Sequence, residues 1–181
     1  MQLLGVSGSL REASTNTRLL VAATRFVPAG VQMHLTACVG RLPLFSPDLN
    51  PAHIEVVDQW VREVRAAGGL VVSTPEYARG YPGALKNALD WLVSTDAYVD
   101  KPFMLLNASS RSTVAQETLT MVLETMSGRH IKAASTTVPL LGKDLTVEEI
   151  VENAEFAGRL RAAMLTFVSE LKHAWSARDG A

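Results

Sequence analysis

Between Gly8 and Asn16 the chain reads Gly-Ser-Leu-Arg-Glu-Ala-Ser-Thr-Asn, gathering Ser9, Arg11, Ser14, Thr15 and Asn16 into eight residues. All five side chains donate hydrogen bonds, and Arg11 adds a fixed positive charge. Donors concentrated in this way suit an oxyanion such as a phosphate. Their position strengthens the expectation. The cluster follows the apolar run Leu3-Leu4-Gly5-Val6-Ser7 and precedes a helical pattern that starts near Thr15. The first amides of a helix lack intrahelical partners and point outward, and the helix dipole adds partial positive charge there. One such residue would be explained as an N-cap or a solvated loop charge; the cluster of five predicts phosphate binding.

Two further polar stretches follow apolar runs. Leu70-Val71-Val72-Ser73 leads into Thr74-Pro75-Glu76-Tyr77-Ala78-Arg79-Gly80-Tyr81-Pro82-Gly83, and Phe103-Met104-Leu105-Leu106 leads into Asn107-Ala108-Ser109-Ser110-Arg111-Ser112. In the second stretch Pro75 stiffens the backbone, Gly80 and Gly83 allow close approach or unusual dihedrals, and Tyr77 and Tyr81 offer flat apolar faces. A rigid loop with free amides beside aromatic surface suits a planar heterocycle with hydrogen-bonding edges.

The elements that would carry these loops are read from apolar periodicity. Gln2 to Ser7 is a first strand, followed by a helix over roughly Asn16 to Val27 and an edge strand over Val31 to Ala37. Arg41 to Pro51 holds three prolines and cannot be a regular helix or a central strand, yet it carries Leu42, Leu44, Phe45 and Leu49. It either packs over a flank of the core or walls a site or a subunit contact. A second helix over about Ala52 to Ala67 stops at Gly68-Gly69. A third helix starts after Pro82, and a fourth closes at Gly128. Ile131 to Val138 predicts a more polar strand at the far edge. Thr146-Val147-Glu148-Glu149 reads as a capping box that opens one long last helix to about Trp175.

Five strands alternating with five helices imply right-handed crossovers and a parallel sheet covered on both faces. The expected fold is a three-layer α/β/α domain spanning residues 1–181 as one unit, its five-stranded parallel sheet ordered 2-1-3-4-5. In such a sheet, ligands bind outside the carboxyl ends of the strands where the strand order reverses. All three polar loops lie at those ends, so one ligand should touch all three. Phosphate at one end and a flat ring at the other describe a mononucleotide such as FMN. A G-x-G-x-x-G dinucleotide fingerprint does not follow the first strand, and a G-x-x-x-x-G-K-[ST] loop is missing.

Composition narrows the field. The chain has 181 residues, 48% hydrophobic and 19% charged, enough for a sizeable core without staples. Seventeen basic residues against eighteen acidic ones give a net charge of −1, which argues against a nucleic-acid binder. A single cysteine, Cys38, excludes an internal disulfide framework, and reads as a small buried hydrophobe. His34, His53, His130 and His173 lack ligand spacing, so no metal is expected. Neither a secretory signal nor a membrane span is visible, which predicts a soluble cytoplasmic protein.

Three motifs carry a resemblance. G-S-L-R-x-x-S-x-N at Gly8 to Asn16, L-P-L-F-x-x-D-L at Leu42 to Leu49, and P-E-Y-x-x-G-x-P-G-x-L-K-N-A-L-D-W at Pro75 to Trp91 closely resemble the NADPH-dependent FMN reductase family. The family has a flavodoxin-like fold and includes quinone, chromate and azo-dye reductases. The resemblance implies that Ser9, Arg11, Ser14, Thr15 and Asn16 hold the FMN phosphate, and that Pro75, Glu76, Tyr77, Arg79 and Gly80 border the isoalloxazine ring. Family members commonly have a Gly-rich turn after the fourth strand; here Ser109, Ser110 and Arg111 would supply the donors instead. It further implies NADPH or NADH as co-substrate, a small-molecule electron acceptor, and a homo-oligomer, dimer or tetramer, with the third helix and the proline-rich loop near a subunit contact.

Structural readings stand beside these. Lys86, Asn87 and Asp90 on the third helix read as serving only local backbone or neighbouring helices, Glu76 can brace its loop through backbone amides, and Trp60, Trp91 and Trp175 read as packing or interface residues. A flavodoxin-type electron carrier is the competing function. Such carriers are strongly acidic around the flavin, whereas Arg11, Arg79 and Arg111 sit on the ligand loops here. A receiver-type signalling module needs acidic residues after the first strand, and Ser7-Gly8-Ser9 offers none.

Overall fold

The structure, a computed structural model, describes residues 1–179, with side chains described through residue 174. The first half of the chain runs β1 (Gln2–Ser7), α1 (Thr15–Thr24), β2 (Gln32–Leu35), α2 (Glu55–Ala66), β3 (Gly69–Ser73) and α3 (Gly83–Val93). The second half runs β4 (Pro102–Asn107), α4 (Val114–Thr125), β5 (Arg129–His130), β6 (Thr136–Thr137), α5 (Val147–Glu152) and α6 (Ala154–Asp179). All strand pairs are parallel, and the sheet is ordered β2-β1-β3-β4-β5, with β6 also paired to β4. This is the expected order.

Side chains alternate across a strand, so each central strand feeds two cores. Leu3, Val71, Met104 and Leu106 pack against α1, α5 and α6, where Leu19, Leu20, Ile150, Phe156, Leu160, Met164 and Phe167 are buried. Leu4, Val6, Leu70, Val72, Phe103 and Leu105 face the other way, onto Val57, Trp60 and Val64 of α2, Leu85, Leu89 and Trp91 of α3, and Leu119 and Leu123 of α4. Trp60 and Trp91 are fully buried, and each indole N–H donates to a backbone carbonyl, of Ala88 and Pro43 respectively. Both are therefore packing residues; the side chain of Trp175 lies outside the described residues.

Three expectations are corrected. Helix α1 ends at Thr24 rather than Val27, because the amides of Arg25 and Phe26 already bond three residues back, to Ala22 and Ala23. The last strand is not continuous over Ile131 to Val138. It is two pairs of residues split by a 3-10 turn at Lys132–Ala134, and between them the Ser135 hydroxyl accepts the Leu105 N–H at 3.0 Å in place of a ladder carbonyl.

The third correction concerns the C-terminal helix. The capping box is present, with Thr146 and Glu149 bonded reciprocally, but it opens only the short α5. Asn153 adopts ψ 116, breaks the helix, and accepts the Phe156 N–H to start α6. Core demand explains the break. Ile150 and Phe156 both enter the first core, and in one uninterrupted helix at about 100° per residue they would stand about 120° apart rather than on one face.

The proline-rich segment packs over a flank of the second core. Asn87 of α3 accepts the Phe45 N–H at 2.8 Å and donates to the Pro43 carbonyl at 2.9 Å, which the Trp91 indole also reaches. Leu42 and Phe45 lie on the core, and Phe45 meets Trp91 edge to face at 5.2 Å. Asn87 is thus a brace for this loop, and Lys86 pairs with Asp90 along the helix. None of Arg41 to Pro51 lines the cleft described next.

Candidate functional site

The carboxyl ends of β1 and β3 lie side by side, with Ser7 opposite Ser73 and the Gly8 N–H bonded to the Ser73 carbonyl at 2.9 Å. Gly8 is needed at this seam. A Cβ there would stand 2.2 Å from Thr74 Oγ1 and 2.8 Å from Thr74 Cβ, distances no real side chain tolerates. From this seam a cleft of ≈ 360 Å³ opens between the loops after β1, β3 and β4. Its size falls within the usual range for a small-molecule site.

The first loop is built to present donors. Ser14 is the N-cap of α1, with extended φ and ψ and its hydroxyl accepting the Thr17 N–H at 3.2 Å. That leaves the amides of Thr15 and Asn16, at the first two helical positions, without an acceptor among the described residues. Asn16 is buried and its Oδ1 accepts from the Ser73 hydroxyl at 3.0 Å, which leaves its Nδ2 as the free donor. Ser9 is buried too, and its Oγ accepts the Arg11 N–H, turning the loop so that Arg11 lines the cleft.

The second loop is a tight hairpin-like turn. Tyr77 and Gly80 exchange both backbone hydrogen bonds, at 2.8 and 3.0 Å, and the two residues between them, Ala78 and Arg79, have φ of 50° and 63°. A left-handed pair is the geometry of a type I′ turn, which ordinarily calls for Gly or Asn. Expectation and structure part here. The unusual dihedrals fall on Ala78 and Arg79, while Gly80 and Gly83 are neither left-handed nor crowded. Before the turn, the Glu76 carboxylate accepts the Ala115 N–H at 3.0 Å and so caps α4. Tyr77 lines the cleft while 52% exposed, so part of its surface is free to meet a ligand.

The third loop is braced from within. Asn107 Oδ1 accepts the Ser109 N–H, Asn107 Nδ2 donates to the Ser112 carbonyl, and the Ser109 hydroxyl accepts the Arg111 N–H. Ser109, Arg111 and the buried Ser112 line the cleft. A fourth wall comes from the segment between β6 and α5, where Leu141 lines the cleft while 58% exposed.

Of the residues expected from sequence, Ser9, Arg11, Ser14, Thr15, Asn16, Pro75, Glu76, Tyr77, Ser109 and Arg111 line one cleft. Arg79 and Gly80 form the closing end of the Tyr77 turn outside its lining, and Ser110 faces the adjoining groove between α4 and the β5/β6 border. Sequence reading did not single out Thr74, Asn107, Ser112 or Leu141 as site residues. Asn107, two residues before Ser109, carries an Asx-turn signal that could have marked it; Leu141 carries none.

Two guanidiniums, of Arg11 and Arg111, line the cleft against one carboxylate, and that carboxylate is bonded to a backbone amide. Neither arginine belongs to an ion pair among the described residues. Unpaired positive charge beside free helix amides suits an anion of charge one or two. Among the described residues no group of His, Cys, Asp or Glu could hold a metal ion, and no helix is long and apolar enough to cross a membrane.

A family model described as NADPH-dependent FMN reductase matches residues 1–140. Over 113 residues the chain is 35% identical to the NAD(P)H-dependent FMN reductase of Pseudomonas aeruginosa, covering 61% of this chain and 60% of that protein. Over 116 residues it is 30% identical to the quinone reductase of Escherichia coli, covering 60% of each. The matched stretch thus spans about three-fifths of these curated relatives. Among solved structures, the flavoenzyme NAD(P)H:(acceptor) oxidoreductase FerB from Paracoccus denitrificans superposes with a TM-score of 0.79 at 22% identity, covering 95% of this chain and 97% of that one. That likeness shows a shared fold.

Proposed function

The chain belongs to the NADPH-dependent FMN reductase family, and from that premise we propose that it is an NAD(P)H-dependent oxidoreductase that holds FMN in the three-loop cleft. The observation that carries the reading is the start of α1, where the Thr15 and Asn16 amides, the Ser9 and Ser14 hydroxyls and the Arg11 guanidinium border one concavity. These groups would hold the terminal phosphate. Pro75, Glu76, Tyr77, Arg79 and Gly80 would border the ring, the Tyr77 side chain standing nearest the mouth. Ser109, Ser110 and Arg111 would offer donors from the third loop, with the first and last of these already lining the cleft. The donor set fits the group: acceptors on a phosphate meet free N–H and O–H groups, and no unpartnered carboxylate opposes them.

When bound, FMN supplies a ring nitrogen that takes hydride from NAD(P)H and returns the electrons to a small acceptor such as a quinone, a free flavin, an azo compound or chromate, in ping-pong order. In this reading no acid or base from the chain is required, since the ring nitrogen itself takes the hydride. The chain's part is to bind, to orient and to leave one face open. Arg11 and Arg111 at the rim also favour approach of an anionic dinucleotide. A homodimer or tetramer belongs to the same reading, supported by Leu44 at 84% and Leu49 at 43% exposed on the proline-rich segment beside α3.

The test is an absorption and fluorescence titration of the purified protein with FMN, followed by anaerobic NADPH. Stoichiometric binding with bleaching of the flavin band is expected, and re-oxidation on adding a quinone. A protein that neither binds FMN nor oxidises NADPH refutes the reading. Slow bleaching by free NAD(P)H with fast exchange to a protein partner would favour the electron carrier instead.

A further inference from the structure

Leu141 is an apolar side chain left in the open on a segment fastened at Leu140, Lys143, Asp144 and Leu145. Leu140 is fully buried and its N–H bonds to the Ala108 carbonyl at 2.9 Å. The turn is closed by the Lys143 N–H on the Leu140 carbonyl, with Gly142 at φ 79 in its third position, the left-handed conformation such a turn needs. Lys143 carries its ammonium over the Phe156 ring of α6 at 4.8 Å. Asp144 is held by Arg18 at 2.7 Å, and the same guanidinium reaches the Leu145 carbonyl at 3.0 Å.

Arg18 belongs to α1, one turn after the free amides of Thr15 and Asn16. The turn is therefore tied on one side to the loop after β4, through Ala108, and on the other to the helix whose start faces the anion. It presents Leu141 to the cleft, where this side chain lines the cavity at 58% exposure. A rigid turn spends no ordering entropy when a ligand meets it, so contact there translates directly into residence time.

We propose that Leu141 packs against the FMN held in the cleft and governs how fast the cofactor leaves. The proposal rests on the flavin reading given above. It assigns a role to a residue just beyond the stretch matched by the family model, which ends at residue 140.

The experiment compares wild type, Leu141→Ala and Leu141→Met. Each is loaded with FMN, and its release is followed by the return of free-flavin fluorescence after rapid dilution to a concentration well below the dissociation constant. Leu141→Ala should release FMN about fivefold to tenfold faster, the ratio expected for losing the burial of between one and two methylene equivalents. Leu141→Met, which keeps the volume, should restore the slow rate. The melting temperature of the FMN-free protein should be unchanged in both, because the side chain is not part of either core. Equal release rates in wild type and Leu141→Ala overturn the inference and leave the flavin assignment standing, as does a change of oligomeric state without a change of rate. Failure of the wild type to bind FMN at all overturns the assignment itself.

Discussion

At the scale of single residues, the site depends on how closely the β1 and β3 loops approach, and Gly8 is the measure of that. Gly8→Ala would drive a methyl into the buried, β-branched Thr74. We expect a loss of roughly 1–3 kcal/mol of stability, the usual cost of overpacking, together with weaker FMN binding, read by urea unfolding and by a flavin titration. Glu76 gives a contrasting case. Its carboxylate caps α4, so Glu76→Ala should cost about 0.5–2 kcal/mol as any lost helix cap does, whereas Glu76→Gln keeps an acceptor and should cost less; thermal melts of both variants check this. The first loop's five donors could be read as one cluster because they fall within eight residues after an apolar strand, and the structure gathers all five on one cleft. The roles of Gly80 and Gly83 were misjudged. Glycine signals a permissive backbone, but the strained positions in this turn went to Ala78 and Arg79, where no residue type announces them.

At the scale of elements, the first two-thirds of the fold could be read from periodicity, and β1 was legible to the residue. The last third could not, since both interruptions there answer to tertiary packing. The break at Asn153 serves two core residues, and the split border strand is filled by a serine hydroxyl. Asn153→Ala removes the cap of α6 and should cost about 1 kcal/mol, lowering Tm by about 2–4 °C for a domain of this size, as calorimetry would register.

The border also carries a pH response. His130 stacks on Phe103 at 4.7 Å and shares a hydrogen bond with Ser135; burial pushes its pKa below the ordinary histidine value, with Lys132 acting the same way and Glu124 opposing. The unfolded chain then binds the proton more readily than the folded one. Stability should fall as pH drops from the ordinary histidine range and level off below the depressed folded value. Urea midpoints measured from pH 8 down to pH 5 should show this slope, and His130→Gln should flatten it.

At the scale of the whole molecule, strand order concentrates function. Because β1 and β3 are neighbours while their crossovers go to opposite faces, loops far apart in sequence meet at one end of the sheet. A ligand touching three of them ties both cores together. Saturating FMN at a hundred times its dissociation constant should add about 2.7 kcal/mol to unfolding free energy and raise Tm by about 5–10 °C, a shift absent with riboflavin if the phosphate supplies most of the grip. Fold class, strand order and cleft were thus legible together, since each follows from alternation of strand and helix. The wall contributed by Leu141 was not, because it depends on a turn pinned by contacts from α1, α6 and the β4 loop at once.

The broken border strand has a consequence for life at high protein concentration. An extended segment of another chain approaching that margin meets two ladder positions, then a 3-10 turn, then two more; at the opposite margin β2 offers only four residues. Neither side supplies a flat template long enough to recruit strand after strand into a fibril. Rebuilding Ile131 to Val138 as one unbroken strand would remove that safeguard, and such a chain should precipitate from concentrated solution while still binding its ligand.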